Sequence, residues 1–279
     1  MRAWVLPLVV SSLAPIGRGQ SVDAEALLRK SIENYERDWK ASMSWTYTQR
    51  DITRHDGTEE VDVSEVFPLD GTPYERLVMK NGHKLTPEEE RREQAKYRKA
   101  AKQRESESPE ERAARINKYG NERAFLRELP EAYDAKFLGE DSVEGRPAWV
   151  LQFTPKPGYT PRGPHADILR HVEGKLWIDK ADVQWAKAQA HVIGPVSIGW
   201  ILARVANGAQ ITLEQARVEN GLWMTKSITV DGAARVLLVH NKDLNEQITF
   251  SGYRPAGSSA AASNGAQRVA PVAGAHSFR

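Results

Sequence analysis

The 279-residue chain contains no cysteine. That absence excludes disulfides, thiolate metal ligands, a cysteine nucleophile and a lipid-modified cysteine. An excess of either charge is also missing, with 39 Lys and Arg against 37 Asp and Glu. A nucleic-acid binder carries a basic footprint, so no nucleic-acid partner is expected. Chemical motifs are scarce: there is no G-x-S-x-G elbow, P-loop, dinucleotide fingerprint or H-E-x-x-H. Ser197 lies between Gly194 and Gly199, which is not the spacing of a nucleophile elbow. His165, Asp167 and His171 share one loop, but a six-residue gap between histidines matches no common ligand spacing. Carboxylates crowd one charged segment, where solvation gives them no reason to acquire catalytic pKa values. No catalytic residue, metal or cofactor is expected, and the chain reads as a non-enzyme, with an unrecognised hydrolase as the minor alternative.

Long apolar runs are lacking as well. The longest stretch, Ala3–Pro15, follows Arg2 and precedes Gly17 and Gly19. A charged start, a short apolar centre and small residues before a cut at Gln20 are the parts of a secretory signal. The run is well short of the roughly 20 residues that a spanning helix needs, so a retained anchor is the less favoured reading. Removing Arg2 and Arg18 with residues 1–19 leaves 37 charges of each sign. The expected location is the periplasm.

What is present is organised around Gly145–Asp182. Two strand-like runs, Ala148–Thr154 and Lys175–Asp179, flank a connection containing Pro155, Pro157, Pro161 and Pro164. Trp149, Leu151 and Phe153 share one face of the first run, and Leu176 and Ile178 one face of the second. A period of two is the mark of a half-buried antiparallel sheet.

Before this stretch, Ser21–Lys40 reads as an amphipathic helix capped by Ser21, with Leu28, Ile32, Tyr35 and Trp39 as its apolar stripe. Three alternating runs follow, from Ser44, over Glu59–Leu69 and over Tyr74–Lys80. They end at Asp56-Gly57, Asp70-Gly71 and Asn81-Gly82. Such pairs tolerate the positive φ of hairpin turns. Sheet pattern resumes near Ala132, turns at Glu144-Gly145, and includes Gln184–Val192 with Ala186, Ala188, Ala190 and Val192 on one face. Pro195–Gly208 fits a short buried helix, favoured over a strand, because Ile198, Ile201, Leu202 and Val205 keep a helical period. Gln210–Val218, Leu222–Val230 and Ala234–Tyr253 complete the sheet, with turns at Asn220-Gly221 and Asp231-Gly232.

Thr86–Arg127 is mostly Glu, Lys and Arg. Thr86 with Glu89, and Ser108 with Glu111, form capping boxes with proline at the first helical position. They predict helices over Pro87–Arg104 and Pro109–Tyr119. A solvated face is the plain reading of this segment, and a lid or docking surface is the alternative. Residues 254–279, rich in Ala, Gly, Ser and Pro, read as a disordered tail.

Outside the N-terminal segment there are seven tryptophans, at 39, 45, 149, 177, 185, 200 and 223. Core and cross-strand packing is their ordinary role. The alternative is that several line an apolar cavity. The segments Leu138-Gly139-Glu140, Gly145-Arg146-Pro147-Ala148, Trp149–Phe153 and Trp177-Ile178-Asp179-Lys180 resemble the periplasmic outer-membrane lipoprotein-sorting (LolA/LolB-like) superfamily. The resemblance spans Val22–Tyr253. It implies an α+β fold, a curved antiparallel β-sheet (half-open barrel) wrapped around helices, in a single domain over 20–253 with the charged helical insertion at 86–127. It also implies a carrier for lipid or lipoprotein acyl chains, with transient membrane contact. The alternative is an envelope protein–protein module that uses the charged insertion. Candidate cavity residues, taken from apolar strand faces, are Trp45, Tyr47, Trp149, Leu151, Phe153, Leu176, Ile178, Leu222 and Met224. A one-residue register slip would invert the facing of any strand.

Overall fold

The computed structural model describes residues 22–55, 57–194, 196–198, 203–205, 207–236 and 240–257. The expected signal and nearly all of the expected tail lie outside the described residues. Helix α1 (Ala24–Ser42) is followed by strands β1 (Trp45–His55), β2 (Thr58–Leu69), β3 (Thr72–Lys80) and β4 (His83–Lys84). Helices α2 (Pro87–Glu105), α3 (Pro109–Asn121) and the one-turn α4 (Leu129–Ala132) come next. Then come β5 (Tyr133–Val143), β6 (Arg146–Pro155), β7 (Val172–Asp179), β8 (Gln184–Val192), β9 (Val196–Ile198) and β10 (Ala203–Val205). The last strands are β11 (Gln210–Arg217), β12 (Trp223–Val236) and β13 (His240–Pro255).

One antiparallel sheet runs β4-β3-β2-β1-β13-β12-β11-β8-β7-β6-β5, with β9 and β10 attached beyond β12. Strands β4 and β5 stand at opposite edges, so the sheet is open. The charged helices are therefore the link from one edge to the other. Both capping boxes form, with the Thr86 hydroxyl accepting from Glu89 N and the Ser108 hydroxyl from Glu111 N. Their first turns are acidic, which suits the positive end of a helix dipole.

The hairpin turns follow the sequence signals. Asp70-Gly71, Asn81-Gly82 and Glu144-Gly145 all have positive φ at both positions, as a two-residue primed turn requires.

Four expectations need correction. Asp23, not Ser21, caps α1, accepting from Glu25 N and Ala26 N. Within Pro195–Gly208, Val196–Ile198 and Ala203–Val205 are strands rather than parts of a helix, the other residues of the expected helix except Asn207 and Gly208 lying outside the described residues. The extended end of β12 offers Ala203–Val205 a pairing partner, and tertiary pairing overrides a short helical period. Asp231-Gly232 is not a turn but lies inside β12, paired to β13. Gly232 there has φ 151°, and a Cβ on it would come within 2.5 Å of the Ala209 Cβ; the glycine serves a close approach. Finally, a bulge opposite Trp177 and Ile178 leaves Ala186 unpaired. The bulge turns Trp185 onto the face of Ala188, where Ala186 was expected.

Pairing registers define one row across nine strands: Phe137, Leu151, Leu176, Ala188, Leu213, Ile228, Ile248, Asp51 and Asp62. The row is apolar from β5 to β13 and acidic on β1 and β2. Helix α1 packs onto its apolar end, where Leu28, Ile32 and Tyr35 form one core with Leu151, Leu176, Ile178 and Trp185. Burying each large apolar side chain there contributes roughly 1.5–3 kcal/mol. Polar stitches fix the helix in place. Trp185 Nε1 donates to Ser31 Oγ (2.9 Å), and Gln184 Nε2 and Trp223 N donate to the buried Asp38 carboxylate (2.8 and 3.1 Å).

Helix α2 packs on the opposite face. Tyr47 opposes Val66 across the β1–β2 pair, so Phe67 points the other way. The Phe67, Tyr74 and Tyr97 rings pack together at centroid distances of 5.6–5.9 Å. Arg104 donates to Leu69 O and Thr72 O, and Arg115 to Asp70 O, Thr72 Oγ1 and Glu107. The connection thus turns the corner at the β2–β3 hairpin. Helix α3 then brings Tyr119 onto Trp39, stacked at 5.6 Å.

Candidate functional site: an aromatic cavity at the end of helix α1

Where α1 ends, the concave face is not filled. A cavity of about 110 Å³ opens between Tyr35, Trp39 and Ser42 of α1 and the central strands. Tyr47 of β1, Pro73 of β3, Leu213 and Gln215 of β11, and Trp223, Met224, Thr225 and Ile228 of β12 form its floor. Phe250 and Tyr253 of β13 complete the floor, and Tyr119 and Arg123 close the end contributed by α3 and the turn after it. Tyr47 packs on both Tyr253 (5.1 Å) and Phe250 (5.9 Å). The Tyr253 hydroxyl donates to Thr225 O at 2.6 Å. Burial pushes the pKa of the Tyr47, Tyr119 and Tyr253 hydroxyls up, so all three stay neutral at physiological pH.

Besides Ser42, Thr225 and the tyrosine hydroxyls, two strongly polar side chains enter this wall. Arg123 Nη1 donates to Tyr35 Oη at 2.8 Å, and its guanidinium lies 5.4 Å from the Trp39 ring centroid. Gln215 follows a bulge between β11 and β12 and is 4% exposed. Its Nε2 has no hydrogen-bond partner.

The candidates named from sequence separate into two groups. Tyr47 and Met224 stand in the cavity wall. Leu151, Leu176 and Ile178 lie in the core beneath α1, with Trp149 and Phe153 packed against it. Trp45 is buried at the start of β1, opposite Pro255. Leu222 is half-buried beside the wall residue Trp223. Sequence reasoning passed over Arg123, Gln215, Phe250 and Tyr253. It assigned Tyr35 only to a helix stripe and Trp39 to that stripe, with the cavity as a general alternative for the tryptophans.

The segments that carried the family resemblance have a structural task. Asp179, 1% exposed, accepts from Arg146 Nε and Nη2 (2.7 and 2.9 Å) and from Ala181 N and Asp182 N (3.0 and 2.8 Å). Asp182 in turn accepts from Arg146, Arg217 and Trp223 Nε1. This network closes the β7–β8 turn. In the proline-rich loop, His171 Nε2 lies 3.7 Å from Asp167, and among the described residues no group of three or more His, Asp or Glu is placed to hold a metal.

An open antiparallel sheet around one amphipathic helix, with an aromatic cavity at the helix end, is the class this architecture defines. No family model matches the sequence, and no curated protein does. Among solved structures, the chain is similar to a domain assigned to outer-membrane lipoprotein sorting in Vibrio parahaemolyticus. That match has 12% identity and TM-score 0.36, covering 83% of this chain and 94% of that one. It is similar also to a LolA superfamily protein from Nitrosomonas europaea (10%, TM-score 0.35, 83% and 93%). A third match is MucB in the MucA/MucB complex of Pseudomonas aeruginosa (13%, TM-score 0.25, 84% and 99%). The second is named for the superfamily that the sequence segments resemble, and at such TM-scores the likeness carries no argument. No described helix is long and apolar enough to cross a membrane.

Proposed function

We propose that this protein is a non-enzymatic periplasmic binding or carrier protein for lipids or lipidated proteins. The observation that carries the reading is the aromatic cavity on the concave face, walled at one end by a helix with no buried residue of its own. Ligand sites usually begin near ~300 Å³, and this cavity of about 110 Å³ is smaller. An acyl chain therefore enters only if a wall moves. The wall that costs least to move is the C-terminal end of α3. Its N-terminal half is clamped to the β2–β3 hairpin by Arg112–Asp70 (2.8 Å) and by Arg115 donating to Asp70 O (2.9 Å) and Thr72 Oγ1 (2.7 Å). The Tyr119 end rests on Trp39 by a ring stack. Opening at Tyr119 and Arg123 extends the cavity along the concave face, and contact with a membrane surface during loading is transient.

The test is what the protein carries. Native mass spectrometry with organic extraction, on material purified from the periplasm, is expected to show bound lipid. A clean unliganded mass, together with no binding of a neutral apolar dye, overturns the reading.

A further inference from the structure

The cavity is not neutral. Its fifteen wall residues include one cation, Arg123, and no Asp or Glu. Glu75, two residues from Pro73 on the same strand, is not part of the wall. Among the described residues Arg123 has no carboxylate within ion-pair distance, and its one side-chain hydrogen bond goes to the neutral Tyr35 hydroxyl. On α3 and just after it, Arg112 pairs with Asp70, Arg115 with Glu107 and Arg127 with Glu36. Arg123 lies among these without such a partner, and it is the arginine in the cavity wall.

A second, independent feature points the same way. Gln215 enters the wall from its floor, on β11, with an Nε2 that is buried and, among the described residues, unpartnered. Buried amide donors are nearly always satisfied, by protein, water or ligand. Arg123 is exposed at the cavity rim, so water serves its remaining donors, but among the described residues its charge has no carboxylate beside it. With the buried, unpartnered amide, the guest that suits this wall is an acceptor carrying negative charge. The surrounding Trp39, Tyr47 and Phe250 favour an apolar group attached to it.

We propose that the cavity receives the anionic head of a single-chain amphiphile, with Arg123 as counter-ion, Gln215 as hydrogen-bond donor and the apolar chain along the aromatic wall. The inference rests on the carrier reading and narrows it to ligands bearing a carboxylate or a phosphate. A guanidinium holds either oxyanion through paired N–H donors, where a neutral alcohol offers only one oxygen.

The experiment is displacement of a neutral apolar dye by dodecanoate, dodecyl phosphate and 1-dodecanol, at constant ionic strength. Wild-type protein is expected to bind at least one of the two anions about tenfold or more tightly than the alcohol, the range of a charge-assisted hydrogen bond. The relative affinities of dodecanoate and dodecyl phosphate assign the head group. Arg123→Gln is expected to abolish the preference while keeping alcohol affinity, and Arg123→Lys to restore part of it. Gln215→Leu is expected to weaken anion binding more than alcohol binding. Thermal unfolding of each variant checks that it is folded. Equal affinity for anion and alcohol in wild-type protein, or a preference that survives in Arg123→Gln, overturns the inference and leaves the carrier reading standing. Failure of all three compounds and of the dye overturns both.

Discussion

Two halves of one sheet treat the same row of residues differently. Strands β5 to β8 offer Phe137, Leu151, Leu176 and Ala188 to helix α1, and the space is filled. Strands β1 and β2 continue the row with Asp51 and Asp62. Between the two, where α1 ends, lies the cavity. The filled half holds the fold together by burying apolar surface. The other half gives up that stabilisation and keeps an accessible concave surface instead. Their carboxylates differ in the same sense. In the filled half, burial alone would raise the Asp179 pKa, but hydrogen bonds from Arg146 and the turn amides outweigh it and hold it low. In the other half, burial pushes Asp51 and Glu246 up, and each feels further acids nearby.

The largest expected effect of breaking the contrast is on stability. Ile178→Ala, in the filled core, is expected to destabilise the protein by about 2–5 kcal/mol through lost transfer energy and a new void. Ile228→Ala, beside space that already exists, is expected to cost only about 1 kcal/mol. Urea unfolding of both variants measures the difference, and equal costs would contradict a filled half and an open one. Next in size is Arg146→Ala, which strands the buried Asp179. A fully buried pair would lose more, but Arg146 is itself 38% exposed, so about 2 kcal/mol is expected, read by the same unfolding curves.

The pH dependences run in opposite directions. A carboxylate with a lowered folded pKa stabilises above its unfolded pKa, and that contribution disappears as pH falls through the folded value. Asp179 therefore predicts loss of stability in acid, flattened in Arg146→Ala. A raised folded pKa does the reverse: ionisation at neutral pH weakens the fold, and protonation in mild acid relieves it. Asp51→Asn is expected to stabilise at pH 7 and to lessen that gain on acidification, checked by melting temperature against pH. A small stability effect belongs to Tyr119→Leu, which keeps apolar area and gives up the ring stack, about 0.5–1.5 kcal/mol. Its stopped-flow signature is faster dye entry if the α3 end is the moving wall.

The legible parts of the sequence were those governed by neighbours in the chain. Capping boxes at Thr86 and Ser108, glycine turns at 71, 82 and 145, and the period-two runs all act over a few residues, and the corresponding elements stand where those signals place them. The pairing of β1 with β13 was not legible, because residues some 200 positions apart carry no mutual mark. Nor was the local exception at Gly232, where crowding by Ala209 rather than a turn demands glycine. The site was harder still. Arg123 sits among many arginines and lysines of one charged segment, and only the folded chain sets it in the cavity wall. Gln215 faces the cavity by the ordinary alternation of β11, two residues after Leu213, but no pattern announces that its Nε2 is left without a partner among the described residues. Leu151 and Ile178 have the same apolar alternation whether a strand faces a helix or a cavity. What separates them from Tyr47 and Met224 is where α1 stops.

That boundary can be read directly by NMR of protein labelled at isoleucine and methionine methyl groups, titrated with dodecanoate. Met224 and Ile228 line the cavity, whereas Ile32 and Ile178 lie in the core under α1. The account predicts concentration-dependent shifts at Met224 and Ile228, with Ile32 and Ile178 unmoved. Shifts centred on Ile32 and Ile178, or no shift at Met224 and Ile228 at saturating ligand, would contradict it.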